Sequence, residues 1–528
     1  MNKFTLTTCL AVFSMTVAAQ QLKTKPNWHN LDYTQDGVRG MSVEKAYQEL
    51  LKNRKSKTVV VAVIDSGIDI LHEDLAEVIW KNPREIPNNG IDDDKNGFID
   101  DVHGWDFIGS TDGRDINQEQ LESTRLLVMY KNKFGENPSK RLTKKYKSEY
   151  ALLKSLEKEI KDKKEEAMKF LPMYQDLYNN FVNASMTLSQ QLGTKDITAE
   201  MVQGLNDEEI EREVRQAKQF WLRLSSMGAT EADLRDGVKY FEEQVNYAYN
   251  FDFSPREIIG DNPLKLEYGG YGNNEVTGPD AMHGTHVAGI IGAVRNNEKG
   301  INGVADNVQI MVIRCVPNGD ERDKDVANAI RYAADNGASI INMSFGKRFS
   351  PEKNWVDDAV KYAESKGVLF IAAAGNDNTD IDKVVHYPTK KYADKGETTQ
   401  WITVGALNYE EGAQMPAEFS NYGKQGVDVF APGVAIYSTV PGSKYEEKQG
   451  TSMAAPAVTG VAALLKSYFP ELSSKEIKSI ILSSVTNLAD IQVNKPGTTQ
   501  TVDFGQLSVT GGVVNAYNAV KMALEKSK

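Results

Sequence analysis

Cysteine is almost missing from this chain: of 528 residues, only Cys9 and Cys315 carry a thiol. Cys9 falls in a stretch that reads as a removable leader. That leaves Cys315 alone and excludes an intramolecular disulfide even in an oxidising compartment. Cys315 follows the strand-like run 310–314 and is expected to be a small buried hydrophobe. Long hydrophobic runs are missing too. No stretch reaches the roughly 18 consecutive apolar residues of a membrane-crossing helix, so no membrane span is expected. The apolar residues 6–17 follow Lys3 and lead into Ala18-Ala19, the pattern of a secretory signal (residues 1–19) cleaved after Ala19. The expectation is an exported protein, periplasmic or extracellular. Positive charge is in deficit: 61 Lys and Arg against 73 Asp and Glu give a formal net charge of -12. That balance argues against nucleic acid as a partner. No motif calls for an organic cofactor.

Glycine and proline thin out between residues 117 and 249, where Lys, Glu and Gln dominate and the short β-branched runs seen elsewhere stop. Leu153, Leu156, Ile160, Ala167, Phe170, Tyr174, Leu177 and Phe181 recur at three- and four-residue steps, interrupted where Lys163 takes an apolar slot. The spacing predicts a long helix with a coiled-coil-like seam. Asn206 with Glu209, and Thr230 with Asp233, predict further helix starts of the capping-box type. The segment reads as a helical hairpin or small bundle. Its role is open between a solvated outgrowth, a lid, a docking arm for a protein partner and an internal folding aid.

Three motifs carry chemistry: Ile64-Asp65-Ser66-Gly67-Ile68-Asp69, His283-Gly284-Thr285-His286-Val287-Ala288-Gly289 and Gly450-Thr451-Ser452-Met453-Ala454-Ala455-Pro456. A serine hydroxyl is a weak nucleophile at neutral pH. An imidazole must take its proton, and a carboxylate must hold that imidazole in the right tautomer. Asp65 ends the apolar run 59–64, which reads as a buried parallel strand, and so sits at the strand edge where α/β sheets build their sites. His283 opens a run of small and apolar residues suited to a tightly packed helix. His286 is expected to be structural, since no third ligand with zinc-like spacing lies nearby. Ser452 precedes a helix-like run to Ser467, and a helix N-terminus favours a developing anion. Asn376, after the apolar run 370–374, is a candidate donor to an oxyanion.

In that order and with those neighbours, the motifs resemble the subtilisin-like serine proteases (subtilases), over residues 27–115 and 251–528. The resemblance implies an α/β, three-layer fold with a central, mostly parallel sheet flanked by helices, to which this chain adds an all-α insert. It implies a secreted endopeptidase that hydrolyses peptide bonds in polypeptide substrates through an acyl-enzyme on Ser452. Asp65, His283 and Ser452 would form the triad, with Asn376 in the oxyanion hole. It also implies that Ser344, Phe345 and Gly346 hold the substrate as an added strand. Ala373, Ala374 and Gly375 would wall the pocket for the residue before the scissile bond. Many subtilases have Gly-Tyr-Pro at the pocket floor, where this chain has His386-Tyr387-Pro388. His386 is expected to narrow or polarise the pocket and turn preference away from large aromatic residues. The catalytic domain is expected in two parts, residues 20–116 and 250–528, around the insert at 117–249. Asp65 and His283 thus lie 218 positions apart (283 − 65). Two alternatives remain open: a restricted processing protease or exopeptidase gated by the insert, and a non-catalytic binding protein on the same scaffold. All four chemical residues are present, which counts against the second.

The segment from Asn82 to Asp101 resembles a calcium loop found in some bacterial subtilases. Asp92, Asp94 and Asn96 alternate ahead of Gly97 as in an EF-hand, aiming hard oxygen ligands at one point. At the twelfth position His103 replaces the bidentate Glu. Asp100 or Asp101 is therefore expected to close the shell, with Phe98 inside the same loop, around a structural Ca2+.

Overall fold

The computed structural model describes residues 24–527. The signal-like leader, its cleavage site and Cys9 lie outside the described residues. The described residues divide into two compact units, 24–122 with 254–527 and 123–253.

In the first unit the β-branched and aromatic runs become strands β1 (Val59–Asp65), β2 (Gly104–Asp106), β3 (Val308–Arg314), β4 (Ile340–Met343), β5 (Leu369–Ala373), β6 (Trp401–Leu407), β7 (Val429–Pro432), β8 (Ile436–Val440), β9 (Lys444–Lys448), β10 (Thr486–Asn487), β11 (Gln492–Asn494), β12 (Thr501–Asp503) and β13 (Gly512–Val513). Nine of them form one sheet in the order β10-β13-β7-β6-β5-β4-β1-β3-β2. Every pairing is parallel except that of β10 with β13. β8 with β9, and β11 with β12, are separate antiparallel ribbons.

Both faces of the sheet are covered, which is why its strands read as continuous apolar runs. Val61 and Val63 of β1 join the core formed with helices Met282–Gly292 and Thr451–Tyr468. Ala62 and Ile64 join the opposite core, with helices Asp323–Asp335 and Lys353–Ser365. β1 is flanked by β3 on one side and β4 on the other, so the strand order reverses there. In α/β sheets a site forms at the carboxyl edge of such a reversal. Asp65 ends β1, Met343 ends β4 just before Ser344, and Ala373 ends β5 just before the Ala374-Gly375-Asn376 turn.

The second unit is helical. Helix Lys147–Leu192 runs 46 residues, about 69 Å at 1.5 Å per residue. Helices Arg212–Ser225 and Glu231–Glu243 pack along it. The seam residues Leu153, Leu156, Ile160, Ala167, Tyr174 and Phe181 are buried, and Phe181 stacks on Trp221 with ring centroids 6.1 Å apart. Thr230 and Asp233 form the reciprocal capping box expected of them. Asn206 and Glu209 do not. Asn206 Oδ1 accepts from the Glu208 amide inside a turn, and the next helix begins only at Arg212, so the pair closes a turn instead of opening a helix.

Candidate active site

Asp65 Oδ1 accepts from the Ser66 amide at 2.8 Å and lies 2.7 Å from His283 Nδ1. Its other oxygen is buried and meets no donor among the described residues. His283 is the second residue of helix Met282–Gly292, and the helix can approach β1 because Gly284 faces Gly67. A Cβ at Gly284 would sit 2.2 Å from the Gly67 carbonyl oxygen. Burial disfavours the charged imidazole, but the Asp65 carboxylate beside it outweighs this, and the His283 pKa is raised above its ordinary value. His286, three residues on, points away. Its Nε2 lies 3.0 Å from the Glu446 carbonyl oxygen, and burial lowers its pKa to about 4, so it is a neutral packing residue.

Ser452 is the second residue of helix Thr451–Tyr468, which packs against the His283 helix. Its Oγ donates to the Ser344 carbonyl at 3.0 Å, and Ser344 Oγ donates back to the Ser452 carbonyl at 3.0 Å. The hydroxyl is thus bonded to the Ser344 segment. Asn342, fixed by Thr459 at 2.8 Å, donates to Ser344 Oγ at 3.0 Å and sets that segment.

Asn376 is exposed, and its Oδ1 accepts from both the amide and the hydroxyl of Thr451 at 2.9 Å. The amide group is thereby oriented with its Nδ2 as the free-facing donor, 3.5 Å from where a Cβ on Gly450 would stand. Thr451 Oγ1 also accepts from the Gly375 amide at 3.1 Å. Thr451 and Asn421, which bonds the Ala374 carbonyl at 2.9 Å, are supports that the sequence reading did not single out. Thr451 stands next to Ser452 in its motif, and Asn421 lies in the stretch Ser420-Asn421-Tyr422-Gly423.

His386 is brought between the two peptide segments. A Cβ on Gly346 would fall 2.1 Å from its Nε2, and one on Gly375, whose φ is +102°, would fall 3.0 Å from its Cε1. Burial lowers its pKa, so the wedge is neutral. Phe345, Ala373 and Ala374 are buried.

The acidic loop is gathered differently from the sequence expectation. Carboxylate oxygens of Glu85, Asp92 and Asp94 lie within 4.8 Å of one another, the one such group of three among the described residues. Asp101 is instead spent on Asn82, Asn96 and the Tyr332 hydroxyl, and Asp100 on the amides of Asn89 and Gly90. Asn96 Oδ1 accepts from the Phe98 amide, and the Phe98 ring is buried among Trp105, Phe107 and Tyr332. Glu85, from upstream in the loop, joins the group, whereas Asp100 and Asp101 do not. Its Oε2 is buried with no donor among the described residues, as suits a ligand oxygen for a hard cation.

The chain matches the family model described as the subtilase family (peptidase S8) over residues 56–499. It is 38% identical over 239 residues to the thermophilic serine proteinase of Bacillus sp. (strain AK1), covering 45% of this chain and 52% of that one. It is 36% identical over 210 residues to subtilisin DY of Bacillus licheniformis, covering 39% and 72%. To alkaline elastase YaB of Bacillus sp. (strain YaB) it is 37% identical over 240 residues, covering 45% and 55%. The alignments thus span about half the length of the first and third relatives.

Proposed function

The chain belongs to the subtilase family, and from that premise we propose that it is an exported serine endopeptidase that cleaves extended polypeptide through an acyl-enzyme on Ser452. The observation that carries the reading is the 2.7 Å contact between His283 Nδ1 and Asp65 Oδ1. It leaves Nε2 as the proton acceptor.

Rotation of Ser452 about χ1 releases Oγ from the Ser344 carbonyl and presents it to the imidazole. Oγ then attacks the scissile carbonyl carbon as its proton passes to His283 Nε2, and the carbonyl π electrons move onto oxygen. Asn376 Nδ2 and the amides at the start of the Ser452 helix face that oxyanion. Collapse breaks the C–N bond, and the leaving amine takes the proton from His283. Water, deprotonated by the same imidazole, then hydrolyses the ester.

The substrate backbone adds as a strand along Ser344, Phe345 and Gly346. The residue before the scissile bond enters between that segment and Ala373, Ala374 and Gly375. The neutral His386 shortens the space and favours small side chains there over large aromatic ones. Glu85, Asp92 and Asp94, with carbonyl or amide oxygens of the loop, would hold a structural Ca2+, whose charge would offset three converging carboxylates. Residues 117–249 stand as an inserted domain that can engage a protein partner.

The test is digestion of unfolded casein by wild type and by Ser452→Ala, with cut sites mapped by mass spectrometry. Cleavage by wild type alone, after small residues, supports the reading. No cleavage by either protein, together with no fluorophosphonate labelling of Ser452, overturns it in favour of a binding protein.

A further inference from the structure

Gly346 is followed by a lysine whose side chain turns inward. Lys347 is 4% exposed, and its Nζ lies 2.9 Å from Glu122 Oε2, 2.9 Å from Asp323 Oδ1 and 2.7 Å from the Glu321 carbonyl oxygen. Burying an ammonium is strongly unfavourable unless opposite charge and hydrogen bonds surround it, as they do here. A lysine on the rim of a cleft can always reach water instead, so the enclosure marks a position that is held.

What it holds is visible in the backbone. The Lys347 amide donates to the Tyr387 carbonyl at 2.8 Å, and the Tyr387 amide donates to the Lys347 carbonyl at 2.9 Å. This short antiparallel bridge joins the Ser344–Gly346 segment to the His386-Tyr387 segment. It sets the imidazole against Gly346, where a Cβ would come within 2.1 Å of Nε2. The enclosure is itself fixed: Asp323 accepts from Ser350 Oγ at 2.9 Å and from the Glu352 amide at 2.8 Å. The Glu122 amide donates to Asp320 Oδ2 at 2.7 Å.

We infer that Lys347 is a positioning residue for substrate selection: its ammonium, enclosed by Glu122, Asp323 and the Glu321 carbonyl, holds the Lys347–Tyr387 bridge and thereby the gap that His386 closes against Gly346. The inference rests on the protease reading above. It assigns Lys347 no part in the attack by Ser452. Its loss should change which side chain the pocket accepts while sparing the chemistry.

The experiment compares full-length wild type, Lys347→Met and the double variant Glu122→Gln/Lys347→Met. The double variant removes one of the carboxylates stranded by the first change, and so guards against simple misfolding. Two readouts are taken: kcat and KM on peptide p-nitroanilides ending in Ala or Phe, and the rate at which a small fluorophosphonate labels Ser452. Expected is a fall of about tenfold in the Ala-over-Phe ratio of kcat/KM, on the scale of one side-chain contact in a pocket. The change should lie mainly in KM for the Phe substrate, with labelling within about twofold of wild type. An unchanged ratio in a variant that melts as a folded protein overturns the inference, and so does a parallel loss of labelling and hydrolysis. A wild type that neither labels nor hydrolyses defeats the protease reading itself and is recognised by that first measurement.

Discussion

At the scale of the residue, the proposed mechanism makes protonation of His283 decide when the site can work. Only the neutral imidazole accepts the Ser452 proton, and Asp65 holds the pKa above the ordinary 6.5 against the opposing effect of burial. The rate should therefore rise with pH through a midpoint above 6.5 and be lost below it. A pH profile of kcat/KM on a neutral peptide reads this directly; an acid limb at or below 6.5 contradicts the Asp65–His283 coupling. Asn376 makes a second prediction. Its Oδ1 is taken by Thr451, so only the Nδ2 donor is left to lose. Asn376→Ala should lower kcat about 10²- to 10³-fold with little change in KM, the loss known for a subtilisin deprived of its oxyanion-hole amide. An unchanged kcat in single-turnover measurements removes Asn376 from the mechanism. These residues were legible in the sequence because each lies inside a short motif whose chemistry needs its type. Lys347 and Arg314 were not. Arg314 is buried at the end of β3, donating to the Ser66 carbonyl at 2.9 Å and to Asp106 at 2.6 Å. Both act by reaching across the fold, and a linear pattern carries no sign of that.

At the scale of the element, the acidic loop shows what spacing gives and what it withholds. Alternation of Asp92, Asp94 and Asn96 located the loop, since a tight turn around Gly97 must aim alternate side chains inward. An EF-hand-like spacing predicts a closing carboxylate downstream, whereas the third carboxylate of the observed group, Glu85, lies on the upstream limb. Its Oε1 receives the amides of Asp93 and Asp94 at 3.0 and 3.1 Å, which folds that limb back over the loop. Calcium should raise the melting temperature and EDTA lower it, since a ligand bound only by the folded state stabilises by mass action, about 2.7 kcal/mol at a hundred times Kd. Glu85→Gln should abolish the calcium response, whereas Asp100→Asn should weaken the loop yet keep the response. Calorimetric scans with and without calcium distinguish the two, and a response that survives Glu85→Gln removes that residue from the ligand set. The continuous apolar runs 59–64, 310–314 and 370–374 appear as β1, β3 and β5. Asn206 was misread because a residue that caps a helix also closes a turn through its own side chain, and only the continuing chain decides between them.

At the scale of the whole molecule, each unit has its own core. The cluster around Phe181, Leu188 and Trp221 draws only on the helical unit, and the two large clusters facing the sheet draw only on the other. Within the helical unit, Thr124 Oγ1 donates to the Ala248 carbonyl at 2.7 Å, so the chain enters and leaves it side by side. Replacing residues 123–253 by a short linker should therefore leave a protein that refolds and labels at Ser452. If refolding fails while the intact chain refolds, the helical unit is a folding aid. The sheet order was beyond the sequence reading, because the 218 positions between Asp65 and His283 conceal which later strand returns beside β1. The thiol of Cys315 has a consequence of a different kind. It is fully buried, and burial pushes its pKa well above that of a free thiol, so it is a poor nucleophile. A maleimide dye added to a variant with one new cysteine on the exposed helical surface, at Asn180 for example, would find that residue and pass over Cys315. Once the leader that carries Cys9 is removed, the protein is thus ready for site-specific fluorescence with Cys315 left in place.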